Sequence, residues 1–257
     1  GIEPIYVFDG KPPDNKSDVI KERNKKAENA KKKLMTSNDE KDKIKYEKLS
    51  VRMNKGHIDD IKTLLNLMGI KYIQDKNGEA EAIASELCRI GYVDYVVTED
   101  MDALVYGCPR MIRNNLDKSI KGKDIVTEIT LEKIIKSLDI SHDKFIELCV
   151  ICGCDYCDNI PKIGNVKALK IIKEYENIED FIEKNKNYNV PENYLDKYNK
   201  SIEIFNLYKN KYNNIEDIPI FNSNPNFSKL INYLVNDCNI SEKRVHSAIK
   251  KIQKVNQ

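Results

Sequence analysis

The stretch Tyr95-Val96-Val97-Thr98-Glu99-Asp100-Met101-Asp102 restricts the possible folds more than any other part of this chain. Its β-branched apolar start reads as a buried strand, and it breaks at its carboxyl end into closely spaced acids. In open α/β sheets, ligands sit in the crevice outside the carboxyl ends of the strands. Asp100 and Asp102 are two residues apart, so an extended backbone would turn both side chains to one side. Two anions aimed at one point repel each other unless something positive lies between them. Such a pair suits a hard cation such as Mg²⁺, which takes oxygen ligands. A solvated acidic loop is the competing reading of this stretch by itself.

The same pattern recurs. Pro4 to Phe8 reads as a core strand ending in Asp9-Gly10, and Lys11-Pro12-Pro13 then excludes a helix. Asn77-Gly78 opens a helix whose first turn holds Glu79 and Glu81, and acids there are also favoured by the helix dipole alone. A helix over His142–Cys152, capped by Ser141, ends at Gly153, and Asp155 follows at once. Residues 14 to 55 hold fourteen basic and eight acidic residues, with Lys16, Lys21, Arg23, Lys25 and Lys26 near their start. They lack the apolar spacing of a core helix, and Ser37-Asn38-Asp39 divides them. Two exposed helices projecting from the core are expected. An ordinary solvated hairpin is the plain alternative, but beside a carboxylate cluster a basic projection can track a phosphate backbone. Further on, Ile163-Gly164-Asn165 with Lys167 forms a tight turn between two helices. Its backbone N–H groups are suited to a phosphate. Beyond Tyr175 the chain reads as helical, with a short extended piece at Ile218-Pro219-Ile220.

Composition removes several classes. The net charge of +2 gives no global field toward nucleic acid, so that argument must be local. No apolar run approaches the roughly 20 residues of a membrane span. Seven cysteines do not space like a secreted disulfide framework, which points to an intracellular protein. Cys149, Cys152, Cys154 and Cys157 form a C-x₂-C-x-C-x₂-C run that invites a zinc or iron–sulfur reading. The apolar helix around the first two favours buried small hydrophobes instead. His57, His142 and His246 read as surface or capping residues, and the tyrosines from Tyr188 to Tyr233 as helix packing. A core strand so close to Gly1 suggests that the chain begins in the middle of a domain.

Taken together, Tyr6-Val7-Phe8-Asp9-Gly10-Lys11-Pro12-Pro13, Leu67-Met68-Gly69-Ile70, Gly78-Glu79-Ala80-Glu81-Ala82, Thr98-Glu99-Asp100-Met101-Asp102 and Gly153-Cys154-Asp155-Tyr156-Cys157 resemble the flap endonuclease family of structure-specific 5′ nucleases. The resemblance implies a PIN-like, Rossmann-like α/β nuclease core over residues 1–140, with an arch inserted at about 14–57. It implies a helical helix–two-turn–helix domain with further helices over 141–257. Asp9, Glu79 and Glu81 would then serve one Mg²⁺, and Asp100, Asp102 and Asp155 a second, with Mn²⁺ as a substitute. Lys16 and Arg23, or Lys21 in place of Arg23, would steer the phosphate from the arch base. Ile163, Gly164, Asn165 and Lys167 would hold duplex DNA, with K⁺ at the turn. The substrate would be branched DNA, a 5′ flap or a nicked or gapped duplex, cut to leave a 5′-phosphate during replication and repair. The protein would be a monomer, and nuclear in a eukaryote.

Two departures from the family pattern stand out. Lys162 occupies the place where the family usually has a second Gly. The family's N-terminal segment, with a further acid and a stacking aromatic, is absent from this sequence, so a chain of this extent alone would be expected to bind metal weakly and cut little. No Gln-x-x-hydrophobic-x-x-aromatic-aromatic motif is present, so clamp binding is not expected. A non-catalytic DNA-binding scaffold and a PIN-type ribonuclease are the competing functions.

Overall fold

A computed structural model describes residues 1–11, 17–37, 39–114, 125–212 and 214–255. These form two compact units, each built from several stretches of chain.

The first unit comprises Gly1–Phe8, Glu22–Asp75 and Ile218–Gln257. Strand β1 (Tyr6–Phe8) runs parallel to β2 (Tyr72–Gln74). The piece expected to be extended near Ile218 becomes β6 (Ile220–Phe221), antiparallel to β2. Tyr72 and Phe221 stack across that pair with ring centroids 4.9 Å apart. Helices α1 (Ser17–Thr36) and α2 (Glu40–Ser50) are separated where Ser37 and Asp39 stand, and Asp39 caps α2 through the N–H of Lys41 at 2.7 Å. They are the expected exposed helices: α2 buries nothing, and α1 buries only Ala27 and Ala30 among its described side chains. Helix α3 (Lys55–Met68) is amphipathic and ends at Gly69, whose φ of +71° closes the helix in the left-handed region. Leu64, Leu67 and Met68 of α3 pack on Leu230, which belongs to α11 (Phe227–Asn232), and on Val245 and Ile249 of α12 (Glu242–Val255).

The second unit comprises Asp9–Lys21 and Lys76–Asp217. Strand β3 (Val96–Val97) is parallel to β4 (Arg110–Asn114), and β4 is antiparallel to β5 (Val126–Thr130). Helices α4 (Ala80–Arg89) and α5 (Asp102–Val105) flank β3 in the chain. After β5 come α6 (Leu131–Leu138), α7 (His142–Cys152), α8 (Asn165–Glu174), α9 (Ile178–Lys184) and α10 (Tyr194–Asn206). One apolar cluster joins Val96 and Met111 of the strands to Ile146 and Ile151 of α7 and Phe205 of α10. The boundary near residue 140 therefore does not coincide with the compact units, because strands and later helices share this core. The buried tyrosines Tyr194, Tyr198, Tyr208 and Tyr212 are packing residues. His57 completes the cap of α3 and His246 is exposed. His142 departs from the surface reading: it is half-buried, with Nε2 3.4 Å from the Leu104 carbonyl and its ring tilted against Phe145.

Candidate active site

Three carboxylates from separate positions converge in the second unit. Asp9 directly follows β1, Glu79 is the N-cap residue of α4, and Glu81 lies in that helix's first turn. One ligand oxygen of each lies within 4.8 Å of the other two. Local backbone pairing fixes this approach. The Gly10 N–H donates to the Gly78 carbonyl at 2.7 Å, and that of Lys11 to Lys76 at 2.8 Å. Asp9 Oδ1 then accepts the N–H of Ala80 at 2.8 Å, while Glu79 makes no side-chain cap of its own. An anion at a helix N-terminus is favoured by the orphan N–H groups and the dipole together. Glu79 is only 8% exposed, so its carboxyl group is held away from bulk water.

Asp100 and Asp102 are arranged differently from the sequence expectation. β3 ends at Val97 and the backbone does not stay extended. Thr98 Oγ1 accepts the Asp100 N–H at 3.1 Å, and Asp100 Oδ1 accepts the Asp102 N–H at 3.0 Å. Met101 is helical, with φ −77° and ψ −12°, and Asp102 opens α5. Short polar side chains that bond to the backbone two residues on compete with a strand, and here they win. Asp100 still acts on the cluster through its charge. Burial is the main cause that pushes the Glu81 carboxyl above its ordinary range, its own backbone N–H opposes this, and the charges of Asp9, Asp100 and Glu79 add to the rise.

Ser85 ties the two carboxylate-bearing helices together. Its fully buried Oγ lies 2.6 Å from the Glu81 carbonyl and 3.0 Å from that of Ala103. Asp155 sits on a turn closed by Cys154 N–H to Cys157 O at 2.9 Å and the reverse bond at 3.3 Å. That turn leaves Asp155 half-exposed and buries Tyr156. Burial raises the Tyr156 phenol, the hydrogen bond to Tyr106 opposes this, and the charges of Glu79, Asp102 and Asp155 raise it further. The charges of three acids thus act on one buried phenol. Among the described residues, Asp100, Asp102 and Asp155 do not close into a second group as tight as the first.

Sequence reasoning missed the partner of Tyr156. The hydroxyls of Tyr106 and Tyr156 are 2.9 Å apart and buried. Tyr106 ends an apolar run, Ala103-Leu104-Val105, which hid its polar end. The four-cysteine run does not gather: no His, Cys, Asp or Glu group other than Asp9, Glu79 and Glu81 converges to this degree among the described residues. Burial pushes Cys149 and Cys157 up to about 12, as expected of small hydrophobes.

Of the basic residues, Lys16 lies outside the described residues, and Lys21, Arg23, Lys25 and Lys26 are exposed along α1. Lys26 pairs with Glu22 at 2.7 Å. At the turn, the Ile163 side chain is buried, so only its backbone is available, and its carbonyl accepts from Asn159 Nδ2 at 3.2 Å. Gly164 precedes α8 with open space where a Cβ would stand. Asn165 Oδ1 accepts the Val166 N–H at 3.0 Å, and the Lys167 ammonium lies 5.7 Å from the Tyr188 ring centroid. Lys162 holds φ +71°, a glycine-like conformation.

The family model of the XPG I-region matches residues 69–155, which contain Glu79, Glu81, Asp100, Asp102 and Asp155. Flap endonuclease 1 of Candida glabrata is 39% identical over 260 residues, covering 99% of this chain and 67% of its own length. The chain belongs to the flap endonuclease family, a family of structure-specific nucleases. Flap endonuclease 1-A of Sorghum bicolor is 40% identical over 98% of this chain and 66% of its own length. The chain therefore spans about two thirds of the length of the curated relatives it matches. Among solved structures, flap endonuclease-1 from Methanococcus jannaschii superposes with a TM-score of 0.65 at 27% identity, over 97% of this chain and 74% of that one. The fold is the PIN-like nuclease fold of that group.

Proposed function

We propose that this chain hydrolyses DNA phosphodiesters near the junction of a 5′ flap, as an endonuclease and 5′-3′ exonuclease acting in replication and repair. The convergence of Asp9, Glu79 and Glu81 within 4.8 Å carries the reading. The donor set is all carboxylate oxygen, with no sulfur or imidazole, and this fits Mg²⁺, with Mn²⁺ as a substitute. Asp9, Glu79 and Glu81 would hold one ion and Asp100, Asp102 and Asp155 a second. Such ions supply positive charge that offsets the charge developing on the transferred phosphate and on the leaving oxygen.

The chain's own groups explain why the reaction would need metal. Without a cation, the packed carboxylates repel a phosphodiester, and the fold already resists ionising Glu81. Asp9 is held by the Ala80 N–H, so one of its oxygens is fixed in direction. Ser85 keeps Glu81 and the start of α5 in one frame.

The functional division we propose is one of roles and not of compact units. Residues 1–140 would supply the cutting centre apart from Asp155, and 141–257 would supply Asp155 and hold duplex. The exposed bases of α1 (Lys21, Arg23, Lys25 and Lys26) would guide the single strand, and the turn at Gly164, Asn165 and Lys167 would take duplex phosphates. The left-handed backbone at Lys162 supports a glycine-like turn there, whose carbonyls would hold K⁺. The substrate would be a 5′ flap or a nicked or gapped duplex, in the nucleus of a eukaryotic cell.

Cleavage of a labelled double-flap DNA in Mg²⁺, beside the Asp102→Ala variant, tests the proposal. Cutting at the flap junction by wild type alone is expected. Tight flap binding without cutting would replace the nuclease with a binding scaffold, and equal cleavage of single-stranded RNA would replace it with a ribonuclease.

A further inference from the structure

Cys88 and Cys108 stand apart from the other five cysteines. Cys88 is in the last turn of α4, and Cys108 lies between α5 and β4, fixed by its N–H to the Ala103 carbonyl at 2.9 Å. Both thiols point at one acceptor: the Arg110 carbonyl is 3.4 Å from Cys108 Sγ and 3.8 Å from Cys88 Sγ. Cys88 Sγ is also 3.6 Å from the Asp94 carbonyl. A buried cysteine is ordinarily a small hydrophobe. Two thiols brought to one carbonyl oxygen form a paired dithiol.

From this convergence we infer that Cys88 and Cys108 are a site of reversible oxidation by hydroperoxides, closing to an intramolecular disulfide. Cys88 is the attacking group. It is 7% exposed whereas Cys108 is fully buried, so a small oxidant meets Cys88 first. The neighbouring Cys108 thiol favours the Cys88 thiolate, an effect that burial and the Asp94 charge oppose and Arg110 supports. Burial moves Cys149, Cys152, Cys154 and Cys157 the other way, toward the unreactive thiol.

The chemistry balances. The Cys88 thiolate attacks one oxygen of hydrogen peroxide, forming an S–O bond, breaking the O–O bond and expelling hydroxide, which takes up the proton that Cys88 gave up. The Cys108 sulfur then attacks the Cys88 sulfenic sulfur, forming S–S and releasing the oxygen as water with the Cys108 proton. Two thiols lose two electrons in total, and one peroxide becomes two waters. The new bond joins the far end of α4 to the exit of α5. Those are the helices whose opposite ends carry Glu79, Glu81 and Asp102, yet the inference does not depend on the nuclease reading.

The test uses the folded chain carrying Cys238→Ser, which removes the exposed cysteine. The protein is treated briefly with dilute hydrogen peroxide, unfolded in N-ethylmaleimide, digested without reduction and weighed. A Cys88–Cys108 cross-linked peptide, two hydrogens lighter than the separate peptides and restored by dithiothreitol, is expected. It should form about tenfold faster than oxidation at any of the other buried cysteines. In Cys108→Ser, a sulfenic acid trapped by dimedone at Cys88 is expected; circular dichroism shows whether that variant is folded, and Cys108→Ala replaces it if not. Free, alkylated Cys88 and Cys108 in the Cys238→Ser chain after the other thiols have oxidised would overturn the inference. So would a disulfide joining Cys154 and Cys157 instead.

Discussion

The hydroxyls of Tyr106 and Tyr156 meet at 2.9 Å in the core of the second unit, with Phe205 packed against both rings. Tyr106 also meets Tyr208 edge-on, and the Tyr208 hydroxyl donates to the Asn77 carbonyl at 3.1 Å, just ahead of Glu79. Burial and neighbouring carboxylates both raise these phenols, so neither ionises at working pH. Tyr106→Phe leaves the partner hydroxyl short of one bond in a buried place. That costs about 1–3 kcal/mol, whereas removing both hydroxyls costs less than the two single losses added together. A double-mutant cycle in urea is the check. Additive losses would show that the two hydroxyls do not support each other.

Glu81 makes stability depend on pH in a direction opposite to most carboxylates. Its folded value is raised, chiefly by burial, so the fold prefers the neutral form. The stability from this group is complete below the ordinary value of 4.5 and is lost as pH rises through the folded value. Glu81→Gln is fixed neutral and escapes that loss. In EDTA, the Tm of the variant minus that of wild type should be near zero in acid and turn positive as pH rises toward neutral. Saturating Mg²⁺ should shrink or invert the difference, because metal binding to the wild-type site stabilises the folded state. A difference that stays flat from pH 4 to 8 would mean that Glu81 titrates as an exposed acid.

Gly69 is required by space as well as by backbone angle. Its φ is +71°, and a Cβ there would stand 2.7 Å from Pro225 Cδ and 2.9 Å from Pro225 N. The left-handed penalty and the overpacking together make Gly69→Ala cost about 2–4 kcal/mol. The urea midpoint of the variant, set beside Gly91→Ala, measures this. Gly91 shares a positive φ but has nothing within 4 Å, so its loss should be the smaller one.

The parts of the fold most legible in the sequence were those written in local periodicity. Helix α9 occupies Ile178–Lys184 and the break at Ser37 to Asp39 separates α1 from α2, because helix formers and breakers act within a turn or two. Of the acids, Asp9, Glu79 and Glu81 converge as a cluster of carboxylates at strand and helix ends should. Geometry inside the Asp100–Asp102 stretch was not legible, since two side-chain hydrogen bonds redirected a backbone that alternation would have kept straight. Nor was Tyr106, whose partner is fifty residues away and whose neighbours are all apolar. The shared core of strands and α7 was hidden for the same reason, as contacts between distant stretches leave no periodic mark.

Lys162 separates stability from binding at the turn. A non-glycine residue at φ +71° carries strain of about 1–2 kcal/mol, which Lys162→Gly removes. Glycine's greater freedom in the unfolded chain returns about 0.4–1 kcal/mol, so the net gain is about 0.5–1 kcal/mol. The substitution also removes one positive charge beside the proposed phosphate site. If Lys162 neutralises a duplex phosphate, the variant should bind nicked duplex more weakly at low salt, with a log–log salt slope shallower by about 0.9. A more stable variant with an unchanged slope would leave the glycine-like backbone in place and remove Lys162 from the contact. A less stable variant would show that the lysine side chain holds the turn by more than its backbone angle.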